Sequence, residues 1–119
     1  MSAPDVLELR PERRVAPMWV PTRDLIVMEV AEAFGVPADL VVSRRMLREA
    51  VEARFACVWV ADRVTAWSST QMGRRLFGGR DHTTILHARA RAEALHATDR
   101  EWRRAAERAL AMVMEAFDD

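Results

Sequence analysis

Gly78-Gly79-Arg80-Asp81-His82-Thr83-Thr84 is the stretch of this 119-residue chain whose residue types and spacing best suit chemistry. Paired glycines force a tight turn, and aspartate is a favoured residue at the cap of a following helix. That helix then begins with Asp81, His82, Thr83 and Thr84, all short or planar polar side chains. Such groups suit the edges of nucleic-acid bases. An aspartate accepts from cytosine N4, and a threonine either hydrogen-bonds or packs its methyl group on thymine. Arg80, one step earlier, is placed to reach a phosphate. The chemistry this run offers is recognition rather than bond-making.

Other reactive residue types point away from catalysis. His82, His87 and His96 are spaced i, i+5 and i+9, not the i, i+4 of two ligands on one helix face, so no metal site is expected. The single cysteine, Cys57, lies in an apolar run without a basic neighbour, which predicts a buried, inert thiol and no intrachain disulfide. No nucleophile has a base at a useful spacing, and no enzyme activity is expected. All 18 basic residues are arginine. A phosphate loop of the Walker type needs a lysine, so neither a nucleotide nor any other cofactor is expected. No apolar run approaches the roughly 20 residues of a membrane span. The first residues lack the basic head and apolar stretch of a signal peptide, so the expected compartment is the cytoplasm.

The net charge of zero is unevenly distributed. Residues 42–91 carry ten arginines against Glu49, Glu52, Asp62 and Asp81, a net of +6. Both flanking segments are net negative by three. A basic centre suits an anionic partner, although a solvated mixed-charge surface would have the same composition.

The elements that position the run are helical. Half the residues are hydrophobic, enough for one domain with a modest core, and no strand-like alternation occurs. Residues 1–22, interrupted by Pro4, Pro11, Pro17 and Pro21, read as an arm, and residues 23–117 as the domain. Apolar residues of the arm, Met18 and Trp19 among them, predict that part of it packs on the domain or on a partner. A first helix over about 23–34 carries Ile26, Val30 and Phe34 on one face, with Thr22 or Asp24 as cap and Gly35 as stop. A short second helix follows at about 37–42. Ser43-Arg44-Arg45-Met46-Leu47-Arg48 reads as a basic loop. Residues 50–66 form a third helix, apolar almost all round. Ser68 or Ser69 caps a fourth over 69–77, Asp81 caps a fifth over 82–96, and Thr98 or Asp99 caps an amphipathic sixth to about 117. Helices four and five, joined by the glycine turn, have the layout of a helix-turn-helix.

The run Leu76-Phe77-Gly78-Gly79-Arg80-Asp81-His82-Thr83-Thr84-Ile85-Leu86-His87-Ala88 closely resembles the signature of the C-terminal DNA-binding domain of the bacterial replication initiator DnaA. The resemblance extends through Val30-Ala31-Glu32, Ser43-Arg44-Arg45 and Arg54, and covers about residues 23–117. It implies an all-α, Trp-repressor-like helix-turn-helix fold of about six helices. It also implies double-stranded DNA as partner, recognised at a short asymmetric site, the DnaA box. By the resemblance, Asp81, His82, Thr83 and Thr84 contact bases and Arg80 helps hold the backbone. Arg44, Arg45 and Arg48 lie in the loop from which the family inserts an arginine into the minor groove.

Four departures bear on affinity and site preference more than on fold. Met46 stands where the family usually carries its minor-groove arginine. Glu49 and Glu52 add negative charge nearby. Asp62 replaces a residue that is commonly lysine. The stretch from Gly73 to Phe77 is one residue longer than the family's spacing, although Arg74 and Arg75 there can restore phosphate contacts. On the third helix, the core face runs through Ala56, Val60 and Val64. Phe55, Val58 and Trp59 then face partly elsewhere, covered either by Met18 and Trp19 of the arm or by a protein partner, and Trp67 has the same two readings. Two functions follow. One is a stand-alone binder of DnaA-box-like sites, linked to control of replication initiation and associated with the nucleoid. The other is a protein-interaction regulator that keeps the fold with weakened DNA binding. Small proteins resembling this domain alone include a class that acts through Hda, the factor that inactivates the initiator.

Overall fold

A computed structural model describes residues 21–117, which form six helices. These are α1 (Thr22–Phe34), α2 (Ala38–Val41), α3 (Arg48–Val64), α4 (Ser69–Phe77), α5 (His82–Thr98) and α6 (Arg100–Phe117). No strand occurs among the described residues. Almost all of the expected arm, including Met18 and Trp19, lies outside them.

The chain folds around α3. Ala53, Ala56, Cys57, Val58, Trp59, Val60 and Ala61 are all buried, so the central stretch 56–61 is covered on every side. Its neighbours are α1, α5 and α6, with α2 and α4 at its edges. A helix apolar all round is stable only in such a central place. This corrects the expectation that Val58 and Trp59 face away from the core. Trp59 is 3% exposed. His96 of α5 stacks on its ring at 5.2 Å, Trp102 of α6 meets it edge-on at 6.2 Å, and the Arg63 guanidinium lies 3.8 Å from its centroid. Helices from the same domain therefore cover Trp59. Cys57 is fully buried, and burial pushes its thiol up to about 12.

Helix ends follow local chemistry, with three corrections. Pro21, not Thr22 or Asp24, occupies the cap of α1. Helix α3 starts at Arg48, two residues earlier than expected, because Arg48 donates to Glu52 at i, i+4 across the first turn. Arg48 therefore belongs to the helix and not to the basic loop. Asp81 takes the cap position of α5, but its carboxylate makes no capping hydrogen bond of standard geometry there. It accepts from the Thr83 hydroxyl at 2.9 Å instead. Elsewhere the capping is as read. Ser68 accepts from the Gln71 amide while Gln71 accepts from the Ser68 amide, a reciprocal capping box on α4. Asp99 accepts from the Trp102 amide and caps α6.

Candidate nucleic-acid interface

The helix-turn-helix is built from α4, a glycine turn and α5. Gly78 ends α4 in the left-handed region at φ 69° and Gly79 continues at φ 114°, conformations that side chains disfavour. The amides of Gly79 and Arg80 both donate to the Gly73 carbonyl, at 3.0 and 3.1 Å, and tie the turn back onto α4. Gly73 is itself required. A Cβ there would collide with the carbonyl oxygen of Arg80, which is backbone and cannot swing aside. Met72, Leu76 and Phe77 of α4 and Ile85 of α5 fill the space between α4 and the core.

This packing leaves Asp81, His82, Thr83 and Thr84 exposed at the N-terminal end of α5. The carboxyl of Asp81 is held below the usual range, chiefly by the Thr83 hydroxyl, with first-turn amides and His82 favouring the anion further. Nδ1 of His82 lies 3.2 Å from the same carboxylate. The four side chains thus form a polar helix start, in which His82 and Thr83 both contact the Asp81 carboxylate. One turn further on, Leu86 and His87 are exposed on α5, and the edge of the His87 ring contacts Phe55.

The basic loop lies beside this helix start. Arg44 and Arg45 are exposed, and a hydrogen bond from Nη2 of Arg80 to the Ser43 carbonyl, 3.1 Å, joins the loop to the turn before α5. Met46 projects from the loop and is 79% exposed. Arg74 and Arg75 are exposed on the last turn of α4, where the Arg75 guanidinium lies 5.4 Å over Trp67. Trp67 is half-buried and packed on the core beside it. Phe55, also half-buried, lines a shallow cleft with Met46, Val51 and Arg91.

Of the ten arginines in the basic centre, Arg48, Arg63 and Arg89 pair with carboxylates of Glu52, Glu93 and Asp62. Arg54 and Arg80 donate to backbone carbonyls. Arg44, Arg45, Arg74, Arg75 and Arg91 have no carboxylate partner among the described residues, and all five are exposed. Asp62 is accounted for by its partner. Its two oxygens each accept from Arg89 at 2.8 Å, a fork-to-fork pair that raises the Arg89 pKa. The charge that replaced a family cation is therefore neutralised within the fold.

Among the described residues no group of three or more histidine, cysteine or acidic side chains is arranged to hold a metal ion. No helix there is long and apolar enough to cross a membrane.

Comparison with known proteins agrees with this geometry. Residues 23–92 match the family model for the helix-turn-helix of the bacterial DnaA protein. The chromosomal replication initiator protein DnaA of Caulobacter vibrioides is 43% identical over 91 residues, covering 76% of this chain and 18% of its own length. The same protein of Methylacidiphilum infernorum is 33% identical over 84 residues, 71% of this chain and 17% of its own. That of Rhizobium meliloti is 40% identical over 70 residues, 59% and 14%. The chain thus spans less than a fifth of the length of these relatives. Its six-helix fold, its glycine turn and the match over residues 23–92 place the chain in the bacterial DnaA helix-turn-helix family.

Proposed function

We propose that this chain binds double-stranded DNA sequence-specifically at DnaA-box-like sites and acts in the control of chromosomal replication initiation. The observation that carries this reading is a juxtaposition. The exposed polar start of α5 lies beside the exposed Arg44 and Arg45 loop, linked to it through Ser43 and Arg80. In the docking mode of helix-turn-helix proteins, the N-terminal residues of the second helix meet base edges in the major groove. Asp81, His82, Thr83 and Thr84 are assigned to base edges. Arg44, Arg45, Arg74 and Arg75 are assigned to phosphates or to the adjoining groove, with Arg48 and Arg80 adding charge close by. No catalysis, cofactor or nucleotide is part of the proposal. A replication role places the protein in the cytoplasm, at the nucleoid.

The test is a titration of a DnaA-box duplex against a scrambled duplex of equal length at several salt concentrations. Wild-type protein should prefer the box. Thr83→Ala should lower that preference by about 1–3 kcal/mol, the usual worth of a base-edge contact. Arg44→Ala with Arg45→Ala should weaken both duplexes alike and flatten the salt dependence by nearly two phosphate units, about 0.9 in slope for each. Equal affinities for the two duplexes would defeat the proposal.

One observation favours a second reading, in which the fold serves a protein contact with a replication regulator such as Hda. Met46, Val51 and Phe55 line a cleft with Arg48, Glu52 and Arg91, the last without a carboxylate partner among the described residues. On this reading Phe55 and Met46 carry the contact, and Trp59, buried in the core, does not. Co-elution of purified Hda that is lost in Phe55→Ala and kept in Asp81→Ala would support it. Absence of co-elution with wild-type protein would remove it.

A further inference from the structure

Ser43 is where four parts of the fold meet. Arg54 of α3 is 5% exposed. Its Nε donates to the Val41 carbonyl at 2.7 Å, and its Nη2 reaches the Leu40 carbonyl at 3.2 Å and the Ser43 hydroxyl at 3.3 Å. That hydroxyl donates to the Leu40 carbonyl at 2.8 Å and accepts from the Arg45 amide at 3.2 Å, which bends the chain into the basic loop. The Ser43 carbonyl accepts from Nη2 of Arg80 at 3.1 Å. The Arg80 amide in turn donates to Gly73 of α4. An unbroken hydrogen-bonded path therefore runs from α3, through the loop, to the turn that launches α5.

The chemistry of the path is unusual. Arg54 and Arg80 both lie partly or wholly inside the protein, and neither has a carboxylate partner among the described residues. Burial, then the nearby Arg80, holds Arg54 below its ordinary value, and burial with Arg44 does the same for Arg80. Nε of Arg80 is buried without a hydrogen-bond partner. Arginine stays protonated under such pressure, so three like charges are gathered here at a cost to the free protein. The planar fork explains why arginine is used, since it directs donors at fixed angles to separate backbone carbonyls.

We propose that Ser43 is a junction that locks the basic loop to the start of α5, so that loop and helix meet DNA as one rigid unit, with Arg54 and Arg80 as positioning residues. This rests on the DNA-binding reading above and changes the part assigned to Arg80. Its guanidinium acts first within the protein, fixing the distance between two contact surfaces. A loop left free would lose conformational entropy on docking, whereas a loop already fixed does not.

Amide hydrogen exchange on free protein and duplex titration together test the junction, with thermal melting to confirm that each variant folds. Ser43→Ala should speed exchange at the Arg45 amide. Arg80→Ala and Arg80→Lys should both speed exchange across residues 43–47 and leave α6 unchanged. Both Arg80 variants should weaken box binding by about 5- to 30-fold, the worth of one or two hydrogen bonds. Lysine should fail to rescue, because its nitrogen ends one bond short of the Nη2 that reaches the Ser43 carbonyl. Rescue by Arg80→Lys with unaltered loop exchange would overturn the junction and make Arg80 a plain phosphate contact. The exchange measurement needs no DNA and separates the two ideas. Altered loop exchange in a protein that binds no duplex would defeat the DNA-binding reading, and with it the role assigned to the junction, while confirming the hydrogen-bonded path itself.

Discussion

The two ends of α3 treat arginine in opposite ways. At its C-terminal end each nearby arginine meets a carboxylate. Arg63 pairs with Glu93 and lies over Trp59, and Arg89 forks onto Asp62 while its other nitrogen reaches Ser69. At its N-terminal end Arg44 and Arg45 stand in solvent without a carboxylate, and Arg54 and Arg80 donate to carbonyls. Asp62 and Glu93 consume the charge at one end, whereas at the other Glu52 takes up Arg48 and leaves Arg44 and Arg45 without a carboxylate partner. Those two exposed arginines bias the loop toward an anion. The large apolar residues also differ. Trp59 is buried against Trp102, while Phe55 and Met46 remain partly or largely in solvent at the N-terminal end.

The largest effect that would break this comparison is at Trp59. If the C-terminal half of α3 is core, Trp59→Ala removes a buried ring that His96, Arg63 and Trp102 all contact. It should destabilise the fold by about 3–5 kcal/mol, read from urea denaturation. A loss under 1 kcal/mol would return Trp59 to the surface and revive it as a partner contact.

Next in size is Gly73, which sets the distance between α4 and the turn. Gly73→Ala gains helix propensity of up to about 1 kcal/mol but drives a methyl group into the Arg80 carbonyl. Overpacking against backbone costs about 1–3 kcal/mol, so the net change should be a modest loss of stability. The larger sign should be in recognition, because the turn must move and carries the start of α5 with it. Preference for a box over a scrambled duplex should fall in Gly73→Ala even where melting temperature barely changes. Unchanged preference would mean that the turn has slack.

Much of this was legible in the sequence, for local reasons. The helix-turn-helix could be read because Ser68 and Gln71, Gly78 and Gly79 act within a few residues of where they stand. The exposed start of α5 followed from the same turn. What was not legible depended on partners far along the chain. Trp59 looked available because nothing near it in sequence announces His96 or Trp102. Asp62 looked like a lost DNA contact because Arg89, 27 residues later, is invisible to a local reading. Arg48 was read into the loop because its basic neighbours outweighed the i, i+4 acid that draws it into α3. Ser43 and Arg54 lay within the motif but showed no role until the fold brought Arg80 to them.

The smallest expected effect is also the sharpest probe of the difference between the two ends. Met46 is 79% exposed, next to two arginines without a carboxylate partner, and lines a cleft with the Arg48–Glu52 pair. In Met46→Arg the new cation has no buried group to disturb, so folding stability should change by less than about 0.5 kcal/mol. If the loop faces DNA, the slope of log K against log salt should steepen by about 0.9, one added phosphate contact, and box affinity at low salt should rise. Glu49, exposed in the first turn of α3, is the nearest acid in sequence and can capture the new guanidinium, so the double variant Met46→Arg with Glu49→Ala separates capture from absence of DNA. A slope unchanged in both variants would mean that the loop does not approach phosphate. The unpaired arginines would then be surface charge, and the cleft lined by Met46 and Phe55 would become the more informative feature of that end.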